Sequence, residues 1–384
     1  MTKIFIIAAE ASGDNLGAKL ITQLKKTHKN AHIKIIGGVN MQKQGHKSLF
    51  DIKTLSVMGL MEVLPKLFQI IKLINQAVAA IIKFQPDILI TIDSPDFSFR
   101  VAKKVKKIDI NNKIKKIHLI APSVWAWREK RAEKIAKIYD QLLCILPFEP
   151  PYFTKYGLKT DFVGHPILEN YMGLTKKTDD FLIENNLPSD QKIILITPGS
   201  RVGEVGRMLP IFIEAFNILS AKFSDIMPAI LTTKNTKDII ENHATDFAKK
   251  PLLVNGDNQD QKIKLMQSSF LAMAKSGTNA IELSFFEIPL IIAYKVNFLS
   301  AFLFRLVSNL KYGNLINILL NKEIIPELIQ ENCQANLIAN ELESLLTNPA
   351  KRKNQIKQCQ IASKMMLPSN HITPTADIVK KIYL

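Results

Sequence analysis

Short apolar runs alternate with longer stretches whose apolar positions recur at helical spacing, over most of the 384 residues. In the first half, runs at 4–8, 33–36, 88–92, 116–120 and 142–146 predict strands. Between them, patterns at 15–26, 65–84, 99–107 and 129–139 predict helices. The second half repeats the scheme, with strands predicted at 192–197, 229–232, 252–254, 271–274 and 290–293. Its helices are predicted at 208–222, 236–248, 262–267 and 279–286, and the chain beyond 331 reads as mainly helical, broken at Pro349 and Pro368. Short apolar runs separated by helices imply parallel strands with crossover connections. The fold class is therefore α/β. The polar segment 173–191 reads as the passage between two halves. Domains are expected at 1–172 and 173–350, followed by helices over 351–384.

Ligands of open parallel sheets bind beyond the carboxyl ends of the strands, so the loops there are where chemistry is expected. Glu10 ends the first strand, and Ser12 or Asp14 is placed to cap the next helix. Asp93 follows the apolar run 88–92, where a carboxylate is expensive to bury and is either hydrogen-bonded by the next helix or catalytic. Trp125 and Trp127, with Arg128 beside them, either plug a gap between helices or wall a sugar or acyl site. Gly199, Ser200 and Arg201 form a small-residue turn suited to a phosphate, unless the arginine simply pairs with Glu204. Ser276, Gly277 and Thr278 suit a phosphate-facing helix start; Glu282, one turn on, reads as a ribose ligand or an ordinary first-turn acid. His118 and His165 are isolated and no pair has metal-ligand spacing, so no catalytic metal is expected. The first loop lacks the G-x-G-x-x-G pattern of a dinucleotide enzyme, and no cofactor is expected.

Composition changes this picture in three places. With 47% hydrophobic residues, a sizeable core forms without staples. Cys144, Cys333 and Cys359 are far apart, which argues against a disulfide framework and fits a reducing cytoplasm. The start does not read as a signal peptide, since Glu10 and Asp14 interrupt a short apolar run, and no transmembrane helix is expected. The net charge of +17 fits A/T-rich coding, or attraction to nucleotide-sugars or an anionic membrane face. Nucleic acid is not the expected partner, because no recognition motif accompanies the charge.

Eight strings stand in one order along the chain: EASGD at 10–14, SVMGLMEVL at 56–64, IDSPDF at 92–97, PSVWAWREKR at 122–131, LPFE at 146–149, VGHP at 163–166, PGSR at 198–201 and SGTNAIE at 276–282. Together they resemble the lipid-A-disaccharide synthase family. Ala9, Ser94 and Ile316 stand where that family usually has Gly, Ala and Pro, and none of these departures removes a reactive group. The resemblance implies a GT-B fold, two Rossmann-like domains with parallel sheets facing a central cleft, with the C-terminal helices crossing back to the first. It implies an inverting transfer from UDP-2,3-diacylglucosamine to 2,3-diacylglucosamine 1-phosphate (lipid X), on the inner face of a bacterial inner membrane. Asp93 is then expected to be the base, with Glu10 second to it or positioning substrate. Ser12, Trp125, Arg128, Gly199, Ser200, Arg201, Ser276, Gly277, Thr278, Glu282 and Asn317 are expected to bind. The apolar stretches Leu60–Phe84 and 296–320, interrupted by Lys66, Lys72, Lys83, Arg305 and Lys311, are either core-facing helices or peripheral membrane contacts. Association with further copies of the chain is left open. A UDP-sugar 2-epimerase of related architecture and a non-catalytic anionic-lipid-binding protein are the competing readings.

Overall fold

The computed structural model describes residues 2–55, 60–296, 310–368 and 372–383, except for the side chains of 60–67. Much of the SVMGLMEVL string and the first part of the 296–320 stretch lie outside the described residues. The chain divides into two compact units, Met1–Glu169 with Met366–Leu384, and Asn170–Met365.

In the first unit, β1 (Lys3–Ala8), β2 (His32–Ile36), β3 (Ile88–Ile92), β4 (Lys115–Leu119), β5 (Gln141–Cys144) and β6 (Lys159–Phe162) form one parallel sheet in the order β2-β1-β3-β4-β5-β6. Both faces are covered, which is why β1 and β3 are apolar nearly throughout. Ile4 and Ile6 pack with Leu20 and Leu24 of helix Ala11–Thr27. Phe5 and Ile7 point the other way, against Ile74, Val78 and Ile81 of helix Leu60–Phe84. Each such fully buried side chain contributes about 1.5–3 kcal/mol.

In the second unit, β7 (Lys192–Thr197), β8 (Ile226–Thr232), β9 (Leu252–Asn255), β10 (Ser269–Ala274), β11 (Leu290–Tyr294) and β12 (Glu327–Ile329) form a second parallel sheet, in the order β12-β11-β10-β7-β8-β9. The strand order reverses between β1 and β3 in the first sheet and between β7 and β10 in the second. These reversals open the crevices where doubly wound sheets bind ligands. The loops after β1 and β3 carry Glu10 and Asp93, and those after β7 and β10 carry Arg201 and Ser276.

The structure departs from the sequence-based expectation in four places. Strands β6 and β12 were not anticipated, because each is a short, half-exposed edge strand without an apolar run. At the motif loops, helices start earlier than expected, at Ala11, Pro95 and Val202, so residues 12–14 and 96–97 form first turns and Arg201 directly precedes one. Segment 173–191 lies wholly in the second unit, where Lys264 of helix Gln259–Ser268 pairs with Glu184. Helix Pro349–Met365 also stays there, because Gln355 bonds Leu290 on both backbone atoms and the Ile324 carbonyl. Only the last helix, Pro374–Tyr383, returns to the first unit, where Tyr383 stacks on His28 at 3.8 Å.

Candidate functional site

Glu10 is exposed, in extended backbone directly before helix Ala11–Thr27, and its side chain does not cap that helix. Ser12 is exposed in the first turn. A side chain on Gly13 would press on Ala8 Cβ and the Ile92 carbonyl at 3.3 Å, so glycine lets the helix start rest on β1 and β3. The capping expected of Ser12 or Asp14 is not found. Asp14 is buried instead and accepts from the backbone N–H groups of Gly38 (2.7 Å), Asn40 (2.9 Å) and Met41 (3.0 Å), fastening the turn after β2.

Asp93 and Ser94 follow β3 with φ of 52° and 47°. Two successive left-handed residues without glycine turn the chain sharply into helix Pro95–Ile108. The Asp93 N–H donates to the Leu119 carbonyl at 3.0 Å, and its carbonyl accepts from Ser98 Oγ at 2.8 Å. Its backbone is thus fixed, while no described residue ties up its carboxylate. Asp96 is exposed and sits 3.4 Å from Arg131.

After β4, the two tryptophans separate. Trp125 is half-buried, edge-on to Phe148, and donates its indole N–H to Glu149 at 3.2 Å. Trp127 is exposed with the Arg128 guanidinium 4.1 Å from its ring centre. The exposed aromatic face is therefore Trp127 and not the expected Trp125, whose polar atom is already used. Glu149, in the LPFE string, had no sequence-based role. It is 2% exposed, and burial pushes its carboxyl up to about 7 against the bonds from Leu146, Trp125 and Ile145. Below its ordinary value of 4.5 the folded and unfolded chains both hold this proton. As pH rises through the folded value of about 7, the unfolded chain has already released it and stability is lost. Glu149→Gln should therefore make the urea midpoint fall less steeply than wild type over that range; an identical slope would count against it. His118 and His165 are both buried and stay neutral, pushed down to about 3 and about 4 by desolvation.

In the second unit, a concavity of about 280 Å³ gathers six expected residues: Gly199, Ser200, Ser276, Gly277, Thr278 and Glu282. The two strand-end loops are joined, since Lys275 N–H donates to the Thr197 carbonyl (2.9 Å) and Asn279 Nδ2 to Thr197 Oγ1 (2.8 Å). Gly199 has φ of 130°, and a Cβ there would meet Glu204 Oε2 at 2.9 Å. Glu204 fills that space, only 8% exposed, and its Oε1 lies 3.5 Å from Arg201 and 3.2 Å from Lys275. The Arg201–Glu204 pairing thus exists, and it aligns two cations on one buried carboxylate. Lys275 directly precedes the 276–282 string and carries no sequence-based role; its proximity to Glu204 is a tertiary contact. Ser276 Oγ donates to the Gly313 carbonyl at 2.8 Å, so its hydroxyl is occupied.

Glu282 is also buried, and Lys262 Nζ lies 2.7 Å from Oε1. Asn317 does not line the concavity. Its Nδ2 donates to the Ile325 carbonyl (2.8 Å) and Glu327 (2.7 Å), and its Oδ1 accepts from Ile324 (2.8 Å) and Ile325 (3.0 Å). All four of its bonds are used, so Asn317 shapes the 313–325 segment instead of offering a ligand contact.

A family model described as lipid-A-disaccharide synthetase matches residues 4–374. A lipid-A-disaccharide synthase of Rickettsia felis is 42% identical over 100% of this chain and 97% of its own length. One of Rickettsia bellii is 45% identical over 93% of this chain and 92% of its own. Among solved structures, an S. aureus MnaA–UDP co-structure superposes with a TM-score of 0.68 at 14% identity, over 100% of this chain and 96% of the other. A Neisseria meningitidis UDP-GlcNAc 2-epimerase bound to UDP-GlcNAc gives 0.65 at 13% identity, over 100% of both chains. These two likenesses carry the fold alone and do not favour epimerisation.

Proposed function

The chain belongs to the lipid-A-disaccharide synthase family, and from that premise we propose how its residues carry the family's reaction. The enzyme joins UDP-2,3-diacylglucosamine to lipid X, forming the β-1,6-linked lipid A disaccharide 1-phosphate and UDP. The first unit takes the acceptor and the second the nucleotide-sugar. The acceptor 6-hydroxyl oxygen attacks the anomeric carbon while the bond to the diphosphate oxygen breaks on the opposite side. Asp93 takes the hydroxyl proton, and Glu10 positions the acceptor. The leaving diphosphate meets Arg201, Lys275 and the backbone N–H groups around Gly277, where its growing charge is stabilised. Glu282 accepts from the ribose hydroxyls. The observation that carries this reading is the division of chemistry between the two strand reversals, with carboxylates at one and paired cations with small residues at the other. Incubating the purified protein with both acylated sugars should release UDP and disaccharide in equal amounts; UDP release without disaccharide would overturn it.

The substrates' acyl chains also call for an apolar surface. No helix among the described residues is long and apolar enough to cross a membrane. Helix Leu60–Phe84 exposes Phe68 and Ile71, and a groove beside it places Val78, Ile82 and Ile108 next to Lys83, Lys104 and Lys107. Apolar residues rimmed by lysine suit the headgroup boundary of an anionic bilayer. We place peripheral contact with the inner face of the inner membrane here. The protein should co-sediment with anionic vesicles at low salt and be released at high salt; no binding at low salt would sink this assignment.

A further inference from the structure

Two donors from distant segments converge on one oxygen of Glu282. Tyr171, the second residue of the second unit, donates its phenol O–H to Oε1, and Lys262 of helix Gln259–Ser268 places Nζ 2.7 Å from the same atom. No described residue takes Oε2. Tyr171 is 0% exposed, and its ring is fixed edge-on to Phe286 with centres 5.1 Å apart. Burial and the adjacent Glu282 charge push its phenol well above the ordinary range, so it stays a donor. Lys262 and Glu282 both line the concavity, whereas Tyr171 lies behind it.

We propose that Tyr171 and Lys262 are positioning residues that hold Glu282 by Oε1, with Oε2 turned to the two hydroxyls of a nucleoside-diphosphate ribose. A carboxylate held by one oxygen keeps a single rotamer, and its free oxygen then accepts from a diol in fixed geometry. Lys262 supplies the counter-charge to Glu282 in its buried position, and Tyr171 supplies direction. This inference rests on the reading that Glu282 binds ribose.

Calorimetric affinities of the full chain for UDP, 2′-deoxy-UDP and 3′-deoxy-UDP separate the two claims. Wild type should bind UDP about 10- to 100-fold more tightly than the poorer deoxy analogue, the range expected for a hydrogen bond to a charged acceptor. Glu282→Gln should cut that ratio sharply, and so should Tyr171→Phe and Lys262→Met, while Lys262→Arg retains most of it. A wild-type ratio near unity, or one unchanged in Glu282→Gln, overturns the ribose reading itself. If Glu282→Gln loses the preference but Tyr171→Phe and Lys262→Met keep it, the positioning inference fails and the ribose reading stands. Weaker binding of all three ligands with an intact ratio, beside a lowered Tm, marks a merely structural role and also overturns the inference.

Discussion

Asp93→Asn lowers kcat by about 10²- to 10⁴-fold, the usual contribution of a general base, and leaves UDP affinity and the folding midpoint near wild type. The expectation follows from how the residue is held. Its backbone is fixed by Leu119 and Ser98, with no bond from a described residue to its carboxylate. The left-handed conformation at φ 52° costs about 1–3 kcal/mol for an ordinary residue, and asparagine tolerates it as well as aspartate does. The substitution therefore removes a proton acceptor without disturbing the turn. Steady-state UDP release, with a circular dichroism melt alongside, decides the matter. Glu10→Gln should raise KM for the acceptor more than it lowers kcat. A reversed pattern, with Asp93→Asn turning over normally and Glu10→Gln inactive, would exchange the two roles.

Arg201→Met lowers kcat by about 10²- to 10³-fold, comparable to losing one preorganised donor to a developing oxyanion. Arg201 is 62% exposed on its side chain, held to Glu204 at 3.5 Å, and so remains available to a ligand. Glu204 Oε1 also holds Lys275 at 3.2 Å, which keeps two cations close to each other. A diphosphate arriving there meets charges already in place, so little reorganisation is needed in the transition state. Arg201→Lys should recover only part of the loss, because an ammonium cannot make the paired, planar contact of a guanidinium. Glu204→Gln should have a smaller effect on kcat and a larger one on KM for the nucleotide-sugar. Full activity of Arg201→Met at saturating substrate would remove this residue from leaving-group stabilisation.

Much of the site is legible in the chain because strand ends are legible. An apolar run that stops at a carboxylate, as 88–92 stops at Asp93, marks both a buried strand and its exit. The same holds for Thr197 before Gly199, and for Ala274 before Ser276. Residues that act through partners distant in sequence leave no such mark. Glu149 is an ordinary acid in a short loop until burial and the Trp125 indole single it out. Tyr171 belongs to no motif, and only the packing of its ring on Phe286 brings its hydroxyl to Glu282.

Periodicity and loop composition by themselves determined the α/β class, ten of the twelve strands among the described residues, and the residues at both strand reversals. They did so because apolar spacing and turn chemistry are local properties, read within a few neighbours. Only the tertiary structure decided the order of the strands, the two edge strands, and the point where the last helix rejoins the first unit. It also decided that Asn317 is saturated by backbone groups and Glu327, that Trp125 serves Glu149, and that Glu204 gathers Arg201 and Lys275. Those outcomes depend on which polar groups find partners once water is excluded, and residues far apart in the chain supply the partners.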